Sequence, residues 1–345
     1  MSTAIFRTAD GVEYVVPCDQ GTTLLDAAQA AGHTLPSMCH QGSCGICRAK
    51  VVSGQTTLDK HSPDALSDED ISVGEVLLCC CHPSTDVQVA LPYDSSRVLT
   101  GTVPTRQVQL VELDPWPGNV VRILVKALDD PELGSAITFD AGQFAELTPP
   151  DGDRSRAYSF ASVANWDGTA EFYVRLHENG YFSEYLRDRA AVGDILTLKG
   201  PQGSLGLHEN GSRPRWMVCG GTGLAPVMSM LRRMAEWGET QQSLLVFGVN
   251  TPDEVYATDE IERLCQALPS LRAAVTVMRP DSSWAGLVGT AVDQMDAELG
   301  ALPADAERPD IYLCGPPGFL DAARASAHAH GVPDEQIYEE RILGS

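Results

Sequence analysis

The chain is short of positive charge. Its 345 residues hold 24 Lys and Arg against 47 Asp and Glu, a formal net charge of −23. A nucleic-acid partner needs a basic footprint to displace phosphate counterions, so that class is excluded. The deficit is spread out, with four basic against twelve acidic residues in 1–94, nine against sixteen in 101–212 and ten against nineteen in 213–345. No tail or patch concentrates it. Its first consequence is solubility and self-repulsion; its second is docking to a basic partner. Long apolar runs are also missing, and none approaches the ~20 residues of a membrane helix, so no membrane association is expected. The first ten residues lack the basic-then-apolar pattern of a secretory leader, which makes the cytoplasm the expected location. Internal repeats and low-complexity tracts are absent as well.

Cysteine, by contrast, is plentiful. Seven of the ten cysteines fall at 18, 39, 44, 47, 79, 80 and 81, and the others at 219, 265 and 314. In a reducing compartment such a cluster reads as metal ligation before disulfides. The length suits two to three domains, and three compositional blocks are visible. Residues 1–94 show short alternating strands and a helix from Leu24 to Ala31 that Thr23 can cap. Residues 95–100 form a linker. Residues 101–212 repeat short strands around one helix, Tyr181–Arg189, which suggests a small antiparallel barrel. Residues 213–345 alternate apolar runs with helical stretches at 224–237, 258–267, 290–299 and 319–330. That rhythm predicts a doubly wound parallel sheet with a ligand at the C-terminal ends of its strands.

Cys39-His-Gln-Gly-Ser-Cys44-Gly-Ile-Cys47 has the spacing C-x4-C-x2-C, with further cysteine after a long gap, which is the plant-type [2Fe–2S] arrangement. Three thiolates from one loop must converge on one cluster, so the loop has to curl tightly. Gly42, Ser43 and Gly45 are small enough for backbone N–H groups to reach the sulfurs and stabilise the reduced cluster. A zinc site is the competing reading, but zinc more often takes two CxxC pairs or a following pair of His. Spacing alone does not choose a fourth ligand among Cys79, Cys80 and Cys81. Cys79, the natural end of a strand over Val76–Leu78, is preferred. His33, His40, His61 and His82 flank this block and need no ligand role.

In the second block, Arg156-Ala-Tyr158-Ser159 sets an Arg and an aromatic on one strand face beside a hydroxyl. Arg can neutralise a pyrophosphate bidentately, Tyr can stack on a planar ring, and Ser can donate to a ring nitrogen. Val174-Arg175 precedes Gly180-Tyr-Phe182-Ser183, where a helix begins, and a helix N-terminus suits a phosphate. Gly203-Ser204 closes a turn that permits close backbone approach to a ligand. In the third block, Gly220-Gly221-Thr222-Gly223-Leu-Ala-Pro226 lies between a strand and a helix, where a dinucleotide phosphate turn belongs, although it matches only the first G-x-G of the longer fingerprint. Cys314-Gly315-Pro316-Pro317-Gly318 ends another strand on the same edge. Cys314 there either faces a nicotinamide or fills the core as a small apolar residue.

Taken in order, these motifs resemble the NADH-dependent iron–sulfur flavoprotein reductases of bacterial multicomponent oxygenases. The resemblance covers essentially the whole chain. It is nearest to the reductases of soluble diiron monooxygenases of the methane, alkene and propane type. It implies an N-terminal β-grasp [2Fe–2S] ferredoxin, an antiparallel β-barrel FAD domain and a doubly wound NAD(H) domain. It implies cluster ligation by Cys39, Cys44, Cys47 and Cys79. Arg156 would hold the flavin pyrophosphate, Tyr158 its ring and Ser159 its N5, with Val174, Gly180, Phe182, Ser183, Gly203 and Ser204 completing the FAD contacts. Gly221, Thr222, Gly223, Cys314, Gly315 and Pro316 would hold NADH, and Tyr158, Ser159 and Cys314 would stand nearest the reacting atoms. Two departures matter. Glu340-Arg341-Ile342 stands where the family has E-K-aromatic, so the ring that usually covers the flavin is Ile or absent. Met278-Arg279 stands where NADPH-using relatives carry Ser-Arg and a later Tyr, which favours NADH, with Arg279 as the one argument for NADPH.

The implied function is electron splitting. NADH gives two electrons as hydride, and an oxygenase or hydroxylase component takes them singly. The rivals are a stand-alone iron–sulfur flavoenzyme acting on a small molecule, the reductase of a Rieske dioxygenase, and a zinc scaffold. No Ser/His/Asp or paired-carboxylate constellation is required.

Overall fold

The computed structural model describes residues 2–37, 40–43, 45–63, 65–101, 103–150 and 152–342. Cys39 and Cys44, two of the expected cluster ligands, lie outside the described residues. Contacts divide the chain into two units, 1–104 with 202–204, and 105–201 with 205–345. Among the described residues no helix is long and apolar enough to cross a membrane.

In the first unit a five-stranded sheet runs in the order Glu13–Cys18, Ser2–Arg7, Val87–Ala90, Arg48–Ser53, Glu75–Leu77. Period-two alternation decides its inner face: Ala4 and Phe6, Val16 and Cys18, and Val87 and Val89 are buried, whereas the residues between them are not. The helix Leu24–Ala30 packs Leu24, Leu25, Ala27 and Ala28 into the same core. Thr23 caps it, its Oγ1 accepting from the Asp26 N–H at 3.0 Å. A helix laid across a mixed sheet is the β-grasp arrangement.

The second unit contains two sheets. One runs Arg156–Ser159, Phe144–Thr148, Ile195–Gln202, Thr105–Trp116, Val120–Ala127, Thr169–Arg175, with antiparallel pairing. A bridge between Phe160 and Phe172 joins its two edges and closes a barrel. Thr105–Trp116 is a strand that the sequence pattern hides. Its inward apolar residues Val108 and Leu110 are set among Gln and Glu, and it continues through Pro115, which reads as a turn.

The other sheet is parallel, in the order Leu287–Val288, Leu271–Val277, Ser243–Val249, Arg215–Gly220, Asp310–Gly315, Ile337–Arg341. Alternate residues of its strands enter opposite cores. Met217 and Cys219 pack with the helices Leu224–Trp237 and Thr258–Ala267, and Trp216 and Val218 with Ala291–Gly300 and Pro317–Ala329. The chain winds outward from Arg215–Gly220 to one edge, then returns through Asp310–Gly315 to the other. The strand order therefore reverses beside Gly220 and Gly315, where an open α/β sheet forms its crevice.

Candidate functional site

The cluster segment is assembled by strand pairing. Arg48 stands opposite Leu77, and the Leu78 N–H donates to the Cys47 carbonyl at 3.0 Å, so Cys47 and the three consecutive cysteines are neighbours. The strand stops at Leu77, one residue sooner than its sequence suggests, and Leu78–Cys80 makes a single 3-10 turn. Exposure falls along the triplet, from 9% at Cys79 to 3% at Cys80 and 0% at Cys81. Cys81 lies on the next short strand, opposite Leu58. The His82 ring bonds the Asp59 carboxylate at 2.8 Å and the Thr22 carbonyl at 3.1 Å; the Asp59 bond raises its pKa. Buried Cys47 and Cys79, from two segments, beside a loop whose backbone turns left-handed at His40, Gly42 and Gly45, form a donor set that fits an iron–sulfur cluster.

The expected flavin strand Arg156–Ser159 pairs with Phe144–Thr148, placing Tyr158 opposite Ala145 and Ser159 opposite Phe144. Tyr158 is half-buried, with its ring 5.0 Å from that of Phe182. Phe182 is itself buried against Tyr185, so its part is to back Tyr158 from the core. Ser183 is buried too, and its Oγ accepts from the His177 N–H at 3.0 Å. The helix Tyr181–Asp188 begins at Gly180, which supplies no side-chain cap, so the first N–H groups are suited to a phosphate. The Val174 side chain points into the barrel core, and its neighbour Arg175 takes the outward position. Gly203 and Ser204 group with the first unit and do not line the cleft described next.

At the sheet's switch point lies a cleft of ≈ 300 Å³. Arg175 and His177 of the barrel line it together with Gly220, Gly221 and Thr222, the strand-end residues Gly248, Val249, Asn250 and Met278, and Pro316, Phe319 and Ile342. Arg175 pairs with Glu254 at 3.0 Å. Burial alone would raise Glu254, but the Asn250 N–H and Arg175 outweigh it and hold the carboxyl below its ordinary range. Tyr256 Oη donates to the Gly221 carbonyl at 2.9 Å and fixes the turn from behind. Gly223 is required by space: a Cβ there would stand 2.2 Å from the Cys314 carbonyl oxygen.

Cys314 itself is fully buried in the core and does not line the cleft, and burial pushes its thiol well above the ordinary value. Gly315 lies beneath as well, its carbonyl accepting from the Ile342 N–H at 2.8 Å. The sequence reading did not select Arg175, Asn250, Glu254 or Thr290 as site residues. Alternation around Val174 could have found Arg175. The reciprocal cap between Thr290 and Asp293 marks Thr290 as a helix start at the sheet's ligand edge.

A guanidinium, a glycine turn and an apolar far wall suit a dinucleotide, and the strand ending in Tyr158 and Ser159 suits a flat aromatic ring. Comparison with known proteins agrees. Residues 7–84 match the 2Fe-2S iron-sulfur cluster binding domain, 119–206 the oxidoreductase FAD-binding domain and 217–325 the oxidoreductase NAD-binding domain. Methane monooxygenase component C of Methylosinus trichosporium is 34% identical, covering 80% of each chain. The toluate 1,2-dioxygenase electron transfer component of Pseudomonas putida is 31% identical over 97% of each. The cytochrome P450 reductase GcoB of Amycolatopsis superposes with a TM-score of 0.75 at 26% identity over 98% of each chain. With [2Fe–2S], FAD and NAD domains in that order, the chain is an oxidoreductase and belongs to the family of iron–sulfur flavoprotein reductases that serve as electron-transfer components of oxygenases.

Proposed function

We propose that this chain takes hydride from NADH and delivers single electrons, through FAD and a [2Fe–2S] cluster, to the hydroxylase component of a cytoplasmic monooxygenase of the methane or propane type. The observation that carries the reading is the shared cleft: Arg175 of the barrel and Gly220–Thr222 of the parallel sheet wall one space, so a dinucleotide bound there would lie against the barrel that is to hold the flavin. When bound, flavin supplies the conversion of one hydride into two single-electron transfers, and the cluster supplies the one-electron exit.

The protein's part is to bind and orient. Arg156 neutralises the flavin pyrophosphate, Tyr158 stacks on the ring against Phe182, and Ser159 donates to the ring edge. The N–H groups following Gly180 receive a phosphate. Arg175 turns from Glu254 toward the dinucleotide phosphates, and Thr222 and Pro316 border the nicotinamide half. Cys314 acts by its size beneath Gly223, and its buried thiol exchanges no proton. Met278 offers the cleft an apolar wall, which suits NADH better than a 2′-phosphate. Cys39, Cys44, Cys47 and Cys79 hold the cluster, and a reducing cytoplasm keeps these thiols from pairing as disulfides.

The test is Cys44→Ser. NADH-driven reduction of ferricyanide, which draws on the flavin, is expected to persist, while delivery to a hydroxylase falls to background. Loss of both in a protein that still carries FAD contradicts the modular route. The likeness to the toluate dioxygenase component over 97% of each chain favours a second reading, a Rieske dioxygenase as acceptor. Turnover supported with one purified oxygenase class and not the other decides between them.

A further inference from the structure

We propose that Cys80 tunes the cluster: its S–H donates a hydrogen bond to the sulfur of Cys79 and raises the cluster's reduction potential. This rests on the reading of Cys79 as the fourth ligand. The two Sγ atoms are 3.6 Å apart, within range for a bond between sulfurs. By distance alone either could be the donor. Ligation settles the direction, because a metal-bound cysteine is a thiolate and has no proton to give.

The Cys80 sulfur is also held in place. Its carbonyl accepts from the Asp59 N–H at 2.8 Å, and its side chain is buried. On the loop side it abuts Gly42, where a Cβ would come within 2.7 Å of the Cys80 Sγ. The thiol is therefore wedged between the ligand sulfur and the backbone of the cysteine loop. One-electron reduction adds negative charge to the iron–sulfur unit and its sulfurs without adding a proton. A donor aimed at a ligand sulfur favours that more negative form, as backbone N–H groups do in such loops.

The sign of the effect separates this role from simple packing. Truncating a buried side chain beside the cluster admits water, and greater polarity around the cluster moves the potential up. Losing a hydrogen bond to sulfur moves it down. The experiment is an anaerobic, EPR-monitored redox titration of the full holoprotein with dithionite, comparing the parent with Cys80→Ala and Cys80→Ser. Cys80→Ala is expected to retain its iron and visible spectrum, with the equilibrium constant for cluster reduction lowered by up to about tenfold, which is about 59 mV for one electron. The flavin potential in the same titration stays in place. Cys80→Ser keeps a donor, so its potential is expected to lie above that of Cys80→Ala; Cys80→Val, which has no donor, carries the comparison if the Ala variant does not fold. A cluster potential that is unchanged or higher in Cys80→Ala, or in Cys80→Val where that variant stands in for it, overturns the hydrogen bond while leaving the ligand assignment intact. Cluster loss in Cys80→Ala together with retention in Cys79→Ala would make Cys80 the ligand, and would overturn both this inference and the reading on which it rests.

Discussion

At the scale of single residues, the cleft depends on one charge and one missing side chain. Arg175 already spends its guanidinium on Glu254, so a dinucleotide phosphate gains only the difference between two charge-assisted contacts. Replacing Arg175 with Gln is expected to raise the KM for NADH by about tenfold, the loss of one such bond. FAD content should stay at the parental level, since Arg175 lines the cleft and is absent from the strand Arg156–Ser159. A matched fall in flavin occupancy would place Arg175 on the flavin instead. Gly223→Ala is a steric test. Its Cβ would collide with backbone at Cys314, which no rotamer relieves, so the turn must shift, at a cost of about 1–3 kcal/mol. A lowered Tm together with weakened NAD+ binding by calorimetry is the expected result. This glycine was legible in the sequence as part of the turn, but its reason was not, because its neighbour lies about ninety residues away. The same distance hid the position of Cys314. Both of its readings fit the strand end, and only the packing of Gly223 over it assigns it to the core.

At the scale of elements, the strand Thr169–Arg175 joins barrel to nucleotide half. Its inward residues Ala170, Phe172 and Val174 fill the barrel core. Its outward residues do the joining. Glu171 accepts from Arg122 of the barrel at 2.8 Å and from Arg232 of the helix Leu224–Trp237 at 2.9 Å. Tyr173 packs against Trp116 and Tyr256, and Arg175 reaches the cleft. Burial would raise the Glu171 carboxyl, but the two guanidiniums outweigh it and hold it below its ordinary value. A depressed folded pKa stabilises the protein above the unfolded value and loses that stabilisation as pH falls through the folded one. Glu171→Gln leaves two partly buried cations short of a partner and is expected to cost roughly 3 kcal/mol at neutral pH. The gap in Tm between parent and variant should narrow as pH drops below about 4.5, near the ordinary carboxyl value. A gap independent of pH would mean that the carboxylate charge is not what joins the halves. The inward face of this strand could be read from alternation alone. Its outward face could not, since a Glu, a Tyr and an Arg on a strand look like solvent until the helix that covers them is in place. Thr105–Trp116 fails in the same way, its few apolar positions being too sparse to announce a strand.

At the scale of the whole molecule, the charge balance bears on how electrons leave. A net charge of −23 gives a field that extends past any one contact, and residues 1–94, which hold the cluster cysteines, carry four basic against twelve acidic residues. On the proposed reading, an acceptor with a basic face would be steered to this domain. Charge of this kind acts mainly on encounter, raising on-rates by about 10- to 1000-fold at low ionic strength, and it is screened beyond about 8 Å at physiological salt. The second-order rate at which a hydroxylase reoxidises the reduced protein, followed by stopped flow, should therefore fall by about tenfold or more as salt is raised from low levels to 0.3 M. Reduction of the flavin at saturating NADH involves no encounter between proteins and should change little over the same range. If the reoxidation rate holds steady while the salt rises, the acidity serves solubility alone and the acceptor is recognised by shape and apolar contact. If both rates fall together, salt is acting inside the molecule, and the separation between a charge-steered exit and a salt-insensitive entry is lost.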